Sequence, residues 1–259
     1  MHTCDAIIVN YHTNTDLRAC LTSFARHKPE RLATLRVVQV NPRQGDIEFA
    51  HRVRDELGLD ITMSSHAKNV GYGRACNDGA DQGRADTVGF FNADTEITAG
   101  SFDACVEALW SQPGWGILGP RQRNRAGALT AAGIFGDVTK PRHRGWKRQS
   151  SDPQYHDVRD DAVYVAGSIL FARREVMAVL ALCGRGPGTF MLETPLYYEE
   201  SWACRHALAH HWKCVYLGTE EMVHQHDQSP GSQKEKRAKM HAAKGQFIEA
   251  CRAHDLSHE

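Results

Sequence analysis

An α/β fold with a mostly parallel central sheet is predicted by three features of the sequence. Short apolar runs that suit buried strands alternate with segments whose apolar residues recur at helical spacing. Clusters of Gly, Pro, Asn and Asp, which favour turns, separate these segments. Strands that alternate with helices favour right-handed crossovers, so the alternation predicts a mostly parallel sheet flanked by helices.

The first half of the chain shows the alternation most clearly. Apolar runs typical of buried strands span 6–9, 35–40, 60–63, 87–91 and 116–119. Between them, apolar residues recur every three or four positions, as Leu17, Leu21 and Phe24 do. This spacing predicts helices over 16–26, 46–57, 71–83 and 101–110, the last with a Ser N-cap. Ligands of such sheets bind at the carboxyl ends of the strands, so the polar residues that follow each strand are site candidates.

The second half is predicted to return to regular structure after an interruption. A strand over 163–171 contains a small-residue step at Gly167, and a helix follows over 173–182. A helix over 196–210, a short strand over 213–217 and a final helix over 233–254 complete the pattern. The final helix has an apolar stripe whose default partner is its own domain; a second subunit, as in a homo-oligomer, or an anionic membrane are the alternatives.

The interruption, between 120 and 161, is rich in basic residues. Asp137 is the only acidic residue in it up to position 150. We expect a long, partly mobile, basic excursion, with a plain solvated loop as the alternative. Its cations are Arg121, Arg123, Arg125, Lys140, Arg142, Arg144, Lys147 and Arg148.

Composition places the chain among ordinary globular proteins. Its 259 residues are 41% hydrophobic and 24% charged, which excludes disorder as the main state. Lys plus Arg and Asp plus Glu are both 31, so no nucleic-acid partner is expected from overall charge. No apolar run reaches the roughly 18–20 residues that span a bilayer, and no signal-peptide pattern is present. The eight cysteines are scattered, which favours reduced thiols and a cytoplasmic location.

The sharpest chemical motif is Asn92-Ala93-Asp94, directly after a buried strand. A carboxylate at that position can hold a hard divalent cation, which in turn can hold phosphates. The alternative is that Asp94 only caps the next turn.

A Gly-rich turn over 68–77 leads from a strand into a helix. Such a turn can hold a phosphate or nucleotide at the helix N-terminus. It matches neither a dinucleotide fingerprint nor a Walker loop, and a plain turn before a helix is an equally good interpretation.

Two further motifs contain titratable residues. Glu199 and Glu200 stand beside Tyr197, Tyr198 and Trp202, and aromatic shielding can raise the pKa of a carboxyl towards that of a general base. A helix N-terminus, which favours Glu, is the alternative.

His224 and His226 form a His-x-His that could ligate a metal. Two ligands are too few for a structural zinc site, so a solvent-facing pair is the alternative.

Together these motifs resemble family 2 inverting nucleotide-sugar glycosyltransferases of the GT-A (Rossmann-like) fold, especially the rhamnosyl- and galactofuranosyltransferase-like branch. The resemblance covers roughly residues 4 to 230. Two departures are evident: Asn41-Pro42 replaces the usual Asp-Asn after the second strand, and the Glu-Glu to Arg spacing is one residue short. The segments that carry the resemblance, in the family's order, are 6–11, Asn69 to Gly73 with Asn77, Asn92 to Thr95, 165–168 with Arg173-Arg174, Tyr198 to Glu200 with Arg205, and Val223-His224 with Ser229.

The resemblance implies one GT-A domain over 1–259 that transfers a sugar from a nucleotide-diphosphate donor to a glycan, lipid-linked or protein acceptor. It assigns 1–119 to donor binding, 120–232 to acceptor binding and catalysis, and 233–259 to a C-terminal helix. Asp94 and His224 would hold Mn²⁺ or Mg²⁺, and Glu200 or Glu199 would be the base. The basic excursion would close over the donor or steer an anionic acceptor. The donor contacts it implies are Asn10, Tyr11, Asn41, Asn69, Gly71, Arg74, Asn77, Asn92 and Gly167.

Other classes stay open at this stage. One is a catalytically inactive GT-A-like module that binds a nucleotide or glycan. A nucleotidyltransferase is disfavoured because no Gly-rich, Arg/Lys-containing loop follows the first strand. A nucleic-acid binder using the basic excursion and the Lys-rich last helix is disfavoured by the neutral overall charge.

Overall fold

The computed structural model describes residues 1–137, 141–177, 196–226 and 232–254. The strands are β1 Cys4–Asn10, β2 Leu32–Val40, β3 Ile61–His66, β4 Thr87–Asn92, β5 Thr95–Glu96, β6 Trp115–Arg123, β7 Leu129–Ala131, β8 Ile134–Phe135, β9 Arg142–His143, β10 Val158–Ala162, β11 Ile169–Arg173 and β12 Lys213–His224. The helices are α1 Asn14–His27, α2 Asp46–Leu57, α3 Tyr72–Asp81, α4 Ser101–Ser111, α5 Glu199–Ala209 and α6 Gln233–Ala253, with a 3₁₀ turn at Pro153–Tyr155.

One large sheet organises the molecule, in the order β10-β12-β6-β11-β4-β1-β2-β3, with β5 on β12 and β7 on β6. The strands β4, β1, β2 and β3 run parallel, and β6 runs parallel to β12. Strand β11 runs antiparallel between β4 and β6. It therefore brings its amino end to the edge where β4 ends. The predicted α/β class with flanking helices is confirmed, and the strands β5, β7, β10 and β11 are antiparallel to their neighbours.

The apolar core lies on both faces of this sheet. Neighbouring residues of a strand point to opposite faces, so Ile7 and Phe90 belong to one cluster and Ile8 and Phe91 to the other. This is why the strand runs are continuously apolar rather than alternating.

Helix α3 approaches the sheet closely, and a glycine makes that approach possible. A Cβ on Gly79 would lie 2.6 Å from Cγ2 of Ile7 and 3.1 Å from Cγ2 of Val38. The amino end of α3 is thereby held near the carboxyl ends of β1 and β4.

The predicted elements agree well with the structure in the first half and less well in the second. The bounds of α2 match the prediction, α1 and α3 differ from it by one to two residues at each end, and α4 starts as predicted and ends one residue later. The strand predicted over 163–171 is wrong in position, since β11 begins at Ile169 and the edge strand β10 precedes it. Only residues 173–177 of the helix predicted over 173–182 lie in the described part; Arg173 ends β11 and 174–177 are helical.

The expectation of a partly mobile basic excursion is wrong for the residues described there. Residues 120–137 and 141–161 contain the end of β6 and strands β7, β8, β9 and most of β10. Their backbone is tied by hydrogen bonds, such as the amide of Leu129 to the carbonyl of Arg148 at 2.7 Å. Charge density alone predicted mobility here, but strand pairing and ion pairs order the segment.

The last helix, α6, packs on α5. Ala250 and Cys251 of α6 are buried against Trp202, and the rings of Tyr198 and Phe247 stack with centroids 5.3 Å apart. The default prediction, packing on its own domain, is confirmed. In the described segments, no helix is both long enough and apolar enough to cross a membrane.

Candidate active site

Three parts of the fold meet at the carboxyl end of β4. The amide of Asn92 donates to the carbonyl of Ser168 at 2.9 Å, which places the turn before β11 beside the end of β4. The hydroxyl of Tyr72, at the start of α3, donates to the carbonyl of Gly167 at 2.8 Å. The predicted motifs around Asn69, Asn92 and Gly167 are therefore neighbours in space.

Glu200 lies directly against the Gly167 turn. A Cβ on Gly167 would lie 3.0 Å from Cβ of Glu200 and 3.3 Å from its Oε2, so a side chain there would require Glu200 or the turn to shift by a few tenths of an ångström. Burial raises the pKa of Glu200, and the hydroxyl of Ser201, which donates to Oε1 at 3.0 Å, partly offsets that rise. A carboxylate with a raised pKa that retains some exposure has the properties of a general base.

Glu199 occupies a different environment. Glu199 is 2% exposed. The pKa of Cys76 on α3 is raised mainly by burial, and the negative charge of Glu199, but not that of Glu200, adds to this rise. Glu199 therefore faces α3, whereas Glu200 faces the turn at Gly167 and the end of β4. The sequence left the choice between the two open, and the geometry separates them.

Asp94 and His224 form a second centre. Strand β5 pairs with the end of β12, with Thr95 opposite His224. This pairing brings Oδ1 of Asp94 to 3.6 Å from Nε2 of His224, close but longer than a hydrogen bond. The side chains are about 10% exposed, so the solvent-facing alternative for His224 is wrong.

The imidazole of His224 is held neutral. Burial, with a contribution from His226, lowers the pKa of His224 to about 3. A neutral imidazole and a carboxylate are both suitable ligands for Mn²⁺ or Mg²⁺, although the latter prefers oxygen. In the described residues no group of three or more His, Cys, Asp or Glu converges on a metal position. Asp94 and His224 thus fit a cation whose other ligands come from water or from a bound diphosphate.

Asn10 is buried and its amide serves the framework. Its Nδ2 donates to Gln39 at 2.7 Å, and its Oδ1 accepts from the hydroxyl of Thr13 at 2.8 Å. A donor contact through this side chain would compete with these bonds. Tyr11 and Asn41 lie at the same edge and are both partly exposed, and Asn41 ends β2 with a φ of 50°.

The Gly-rich turn caps the start of α3. Oδ1 of Asn69 accepts from the amide of Gly71 at 3.0 Å, and Gly71 has a φ of 83° that favours glycine. Asn77 is buried on the same helix. Arg74 is half exposed and its Nε donates to Asp78 at 2.9 Å, so its guanidinium is held one turn along the helix.

The arginines that the resemblance included have framework roles. Arg174 bonds to the buried Asp5 at 2.7 Å, and Arg173 donates to the carbonyls of Leu109 and Gln112. Ser229 of the last motif lies outside the described residues.

Four cations of the basic segment form ion pairs, namely Arg121, Arg123, Arg125 and Arg144. Glu221 accepts from Nε of Arg121 at 3.1 Å and from Nε of Arg123 at 2.6 Å. Nε and Nη2 of Arg125 both donate to Oε1 of Glu96, at 2.9 and 2.7 Å. These ion pairs offset part of the positive charge of these three arginines, since Arg121 and Arg123 share the single carboxylate of Glu221. The steering of an anionic acceptor by this segment stays a prediction.

Sequence reasoning missed two contributors. Tyr72 was part of a motif but had no assigned role, although it ties α3 to Gly167. Trp146 is 40% exposed and its ring lies 4.9 Å from that of His226, whose ring is 5.5 Å from His224. No spacing signal connects position 146 to 226, since the contact depends on how the segment after β9 folds back.

A family model described as "Glycosyltransferase like family 2" matches residues 2–243. The chain belongs to this family. The family 2 assignment agrees with the order of motifs and with the position of the acidic residues at the end of β4. No curated protein matches the chain.

Solved structures similar to this family 2 protein are distant in sequence. The mannosyltransferase PcManGT from Pyrobaculum calidifontis, in complex with GDP-Man and Mn²⁺, is 13% identical with a TM-score of 0.66, over 94% of this chain and 64% of that one. GalNAc-T7 with UDP, GalNAc and Mn²⁺ is 10% identical with a TM-score of 0.65, over 86% and 43%. S. aureus TarS 1–349 in complex with UDP-GlcNAc is 12% identical with a TM-score of 0.62, over 88% and 60%. The chain spans less than two thirds of each of these proteins, and the likeness shows that they share a fold.

Proposed function

We propose that this protein transfers a sugar from a nucleoside-diphosphate donor to an acceptor hydroxyl, with inversion and with a divalent cation. The observation that carries the proposal is the position of Glu200. It faces the Gly167 turn at the sheet edge where Asn92 ends β4 and Asp94 follows. Family membership and neighbours solved with nucleotide sugars support the same reaction class.

Glu200 is the base in this proposal, and Glu199 is its buried neighbour. Oε1 or Oε2 of Glu200 takes the proton of the acceptor hydroxyl as the oxygen attacks the anomeric carbon and the bond to the diphosphate breaks. Burial raises the pKa of Glu200, which strengthens it as a base. A single displacement assisted by one carboxylate inverts the anomeric centre.

Asp94 and His224 are the protein ligands of the cation. When bound, Mn²⁺ or Mg²⁺ neutralises the negative charge that develops on the leaving diphosphate. The low pKa of His224 keeps its nitrogen available at neutral pH. The Mn²⁺ in the mannosyltransferase and GalNAc-T7 structures supports a divalent cation.

Donor binding is assigned to the remaining edge residues. The first turn of α3 offers its backbone amides to a phosphate, and Asn69 holds the preceding turn by accepting from the amide of Gly71. Asn10 stabilises this edge of the sheet through its hydrogen bonds to Gln39 and Thr13. The rhamnosyl- or galactofuranosyl-like branch rests on the order of the sequence motifs. The other proposed donor contacts are Tyr11, Asn41, Arg74, Asn77, Asn92 and Gly167.

The wider setting is also part of the proposal. The acceptor is a glycan, lipid-linked or protein hydroxyl, and residues 1–259 act as one domain with the donor half at 1–119. The described cysteines are free and buried, which supports a reducing, cytoplasmic location.

A panel of UDP-, GDP- and dTDP-sugars tests the proposal, with donor hydrolysis or transfer as the readout in Mn²⁺, Mg²⁺ or EDTA. Glu200→Gln is expected to lower the turnover rate by at least about 10²-fold, while nucleotide binding persists. Glu199→Gln is the matched control, and its effect is expected to appear mainly in stability. Nucleotide binding without turnover of any donor, in the wild-type protein, would favour an inactive binding module instead.

A further inference from the structure

Helix α6 presents to solvent a stripe of Lys and Arg side chains with one His among them. Lys234, Arg237, His241, Lys244 and Arg252 are all exposed. Their spacing of three to four residues, continued by Ile248 between the last two, places them on one face. At 100° per residue they lie within an arc of about 80° and extend about 27 Å along the helix.

The acidic residues of the helix lie away from this stripe. Glu235 and Glu249 are at least about 60° outside the arc. Glu235 is also committed to capping the helix, since its Oε2 accepts from the amide of Ser232 at 2.7 Å. The stripe is therefore a surface of one sign on a chain whose formal net charge is zero.

The opposite side of the helix is fixed to the domain. Ala243, Ala250 and Cys251 are buried, and Phe247 stacks on Tyr198. Ala243 and Ala250 lie roughly opposite the centre of the stripe, so this docking leaves the stripe exposed to solvent.

Ile248 distinguishes the kind of polyanion that suits this face. It is 37% exposed and lies inside the stripe, between Lys244 and Arg252. A phospholipid interface accepts cations at its headgroups and an apolar side chain just below them, whereas a nucleic-acid backbone gains nothing from an exposed Ile. Clusters of four to eight Lys and Arg on a helix are typical of binding to anionic lipids.

We propose that the α6 stripe docks this protein onto an anionic phospholipid surface. The helix lies in the plane of the interface, and its binding strength depends on the lipid charge and on salt. The proposal rests on α6 alone and is independent of the proposed reaction.

The test uses the full chain and sedimentation with vesicles of phosphatidylcholine, with or without phosphatidylglycerol. Binding is expected only with phosphatidylglycerol and is expected to fall as salt rises. Lys244→Gln should weaken partitioning about fivefold, and Arg237→Gln/Lys244→Gln about thirtyfold. Ile248→Ser should weaken vesicle binding further without changing the helical circular dichroism signal.

Lys239→Gln is the matched control, because Lys239 is exposed on the same helix about 180° from the centre of the stripe. It should leave partitioning within about twofold of wild type. Equal binding to both kinds of vesicle, or equal losses in Lys239→Gln and Lys244→Gln, would overturn the proposal. So would retention of duplex DNA without binding to phosphatidylglycerol vesicles, which would identify a nucleic-acid surface.

Discussion

The contact between Gly167 and Glu200 allows the proposed base to be moved without being removed. In Gly167→Ala the new Cβ would lie 3.0 Å from Cβ of Glu200. Carbon atoms prefer about 3.5–4.0 Å, so Glu200 or the turn must shift by roughly half an ångström. A misplacement of about 1 Å in a reacting group costs about 10²-fold in rate, so about tenfold is expected here. The overpacking should cost about 1 kcal/mol of unfolding free energy, or about 3 °C in Tm.

Donor hydrolysis measures this effect, because water then takes the place of the acceptor. We expect kcat to fall about tenfold while the Kd of the nucleoside diphosphate stays unchanged. Gly245→Ala in α6 is the matched control, since no atom lies within 4 Å of its added Cβ. Its kcat should not change, and its Tm should stay level or rise. Wild-type kcat in Gly167→Ala, with the Tm lowered as expected, would refute the role given to Glu200.

Three further predictions concern stability and pH. Gly79→Ala places a Cβ 2.6 Å from Ile7, so about 2 kcal/mol should be lost in denaturant unfolding; an unchanged midpoint would mean that α3 does not pack so closely. Glu221→Gln leaves the buried Arg121 without its charged partner and should also cost about 2 kcal/mol by thermal unfolding, whereas no loss would show the pair to be dispensable. Burial and neighbouring positive charge lower the pKa of His206 to about 4, so the unfolded chain takes up its proton near pH 6.5 and the folded chain only near 4. Stability should therefore fall by about 2 kcal/mol as the pH drops from 6.5 to 4, and a pH scan in which His206→Leu keeps the full slope would contradict this.

The fold could be predicted from the sequence where helices and strands alternate regularly. The apolar spacing of α2 has one periodic face, and its bounds were predicted correctly. The strand β11 was misplaced because the apolar run over 163–171 continues through the Gly167 turn. Periodicity cannot show where such a run leaves the sheet, since the turn is set by contacts with Tyr72 and Glu200.

The candidate site was predictable by residue type and only partly by role. The end of β4 predicted Asp94, and β12 brings His224 to it. Sequence could not separate Glu199 from Glu200, because adjacent residues of a helix differ in direction by about 100° and only packing shows which faces the site. The basic segment was misjudged because the partners of its arginines, such as Glu221, are nearly 100 positions away.

Metal-dependent nucleotide binding tests the central claim most directly. Calorimetric titration of UDP and GDP into the protein, in Mn²⁺ and in EDTA, needs neither the acceptor nor turnover. We expect binding in Mn²⁺, loss of most of that affinity in EDTA, and the same loss for Asp94→Asn in Mn²⁺. Binding that is equally tight in EDTA and unchanged in Asp94→Asn would contradict the account and leave Asp94 as the cap of a turn.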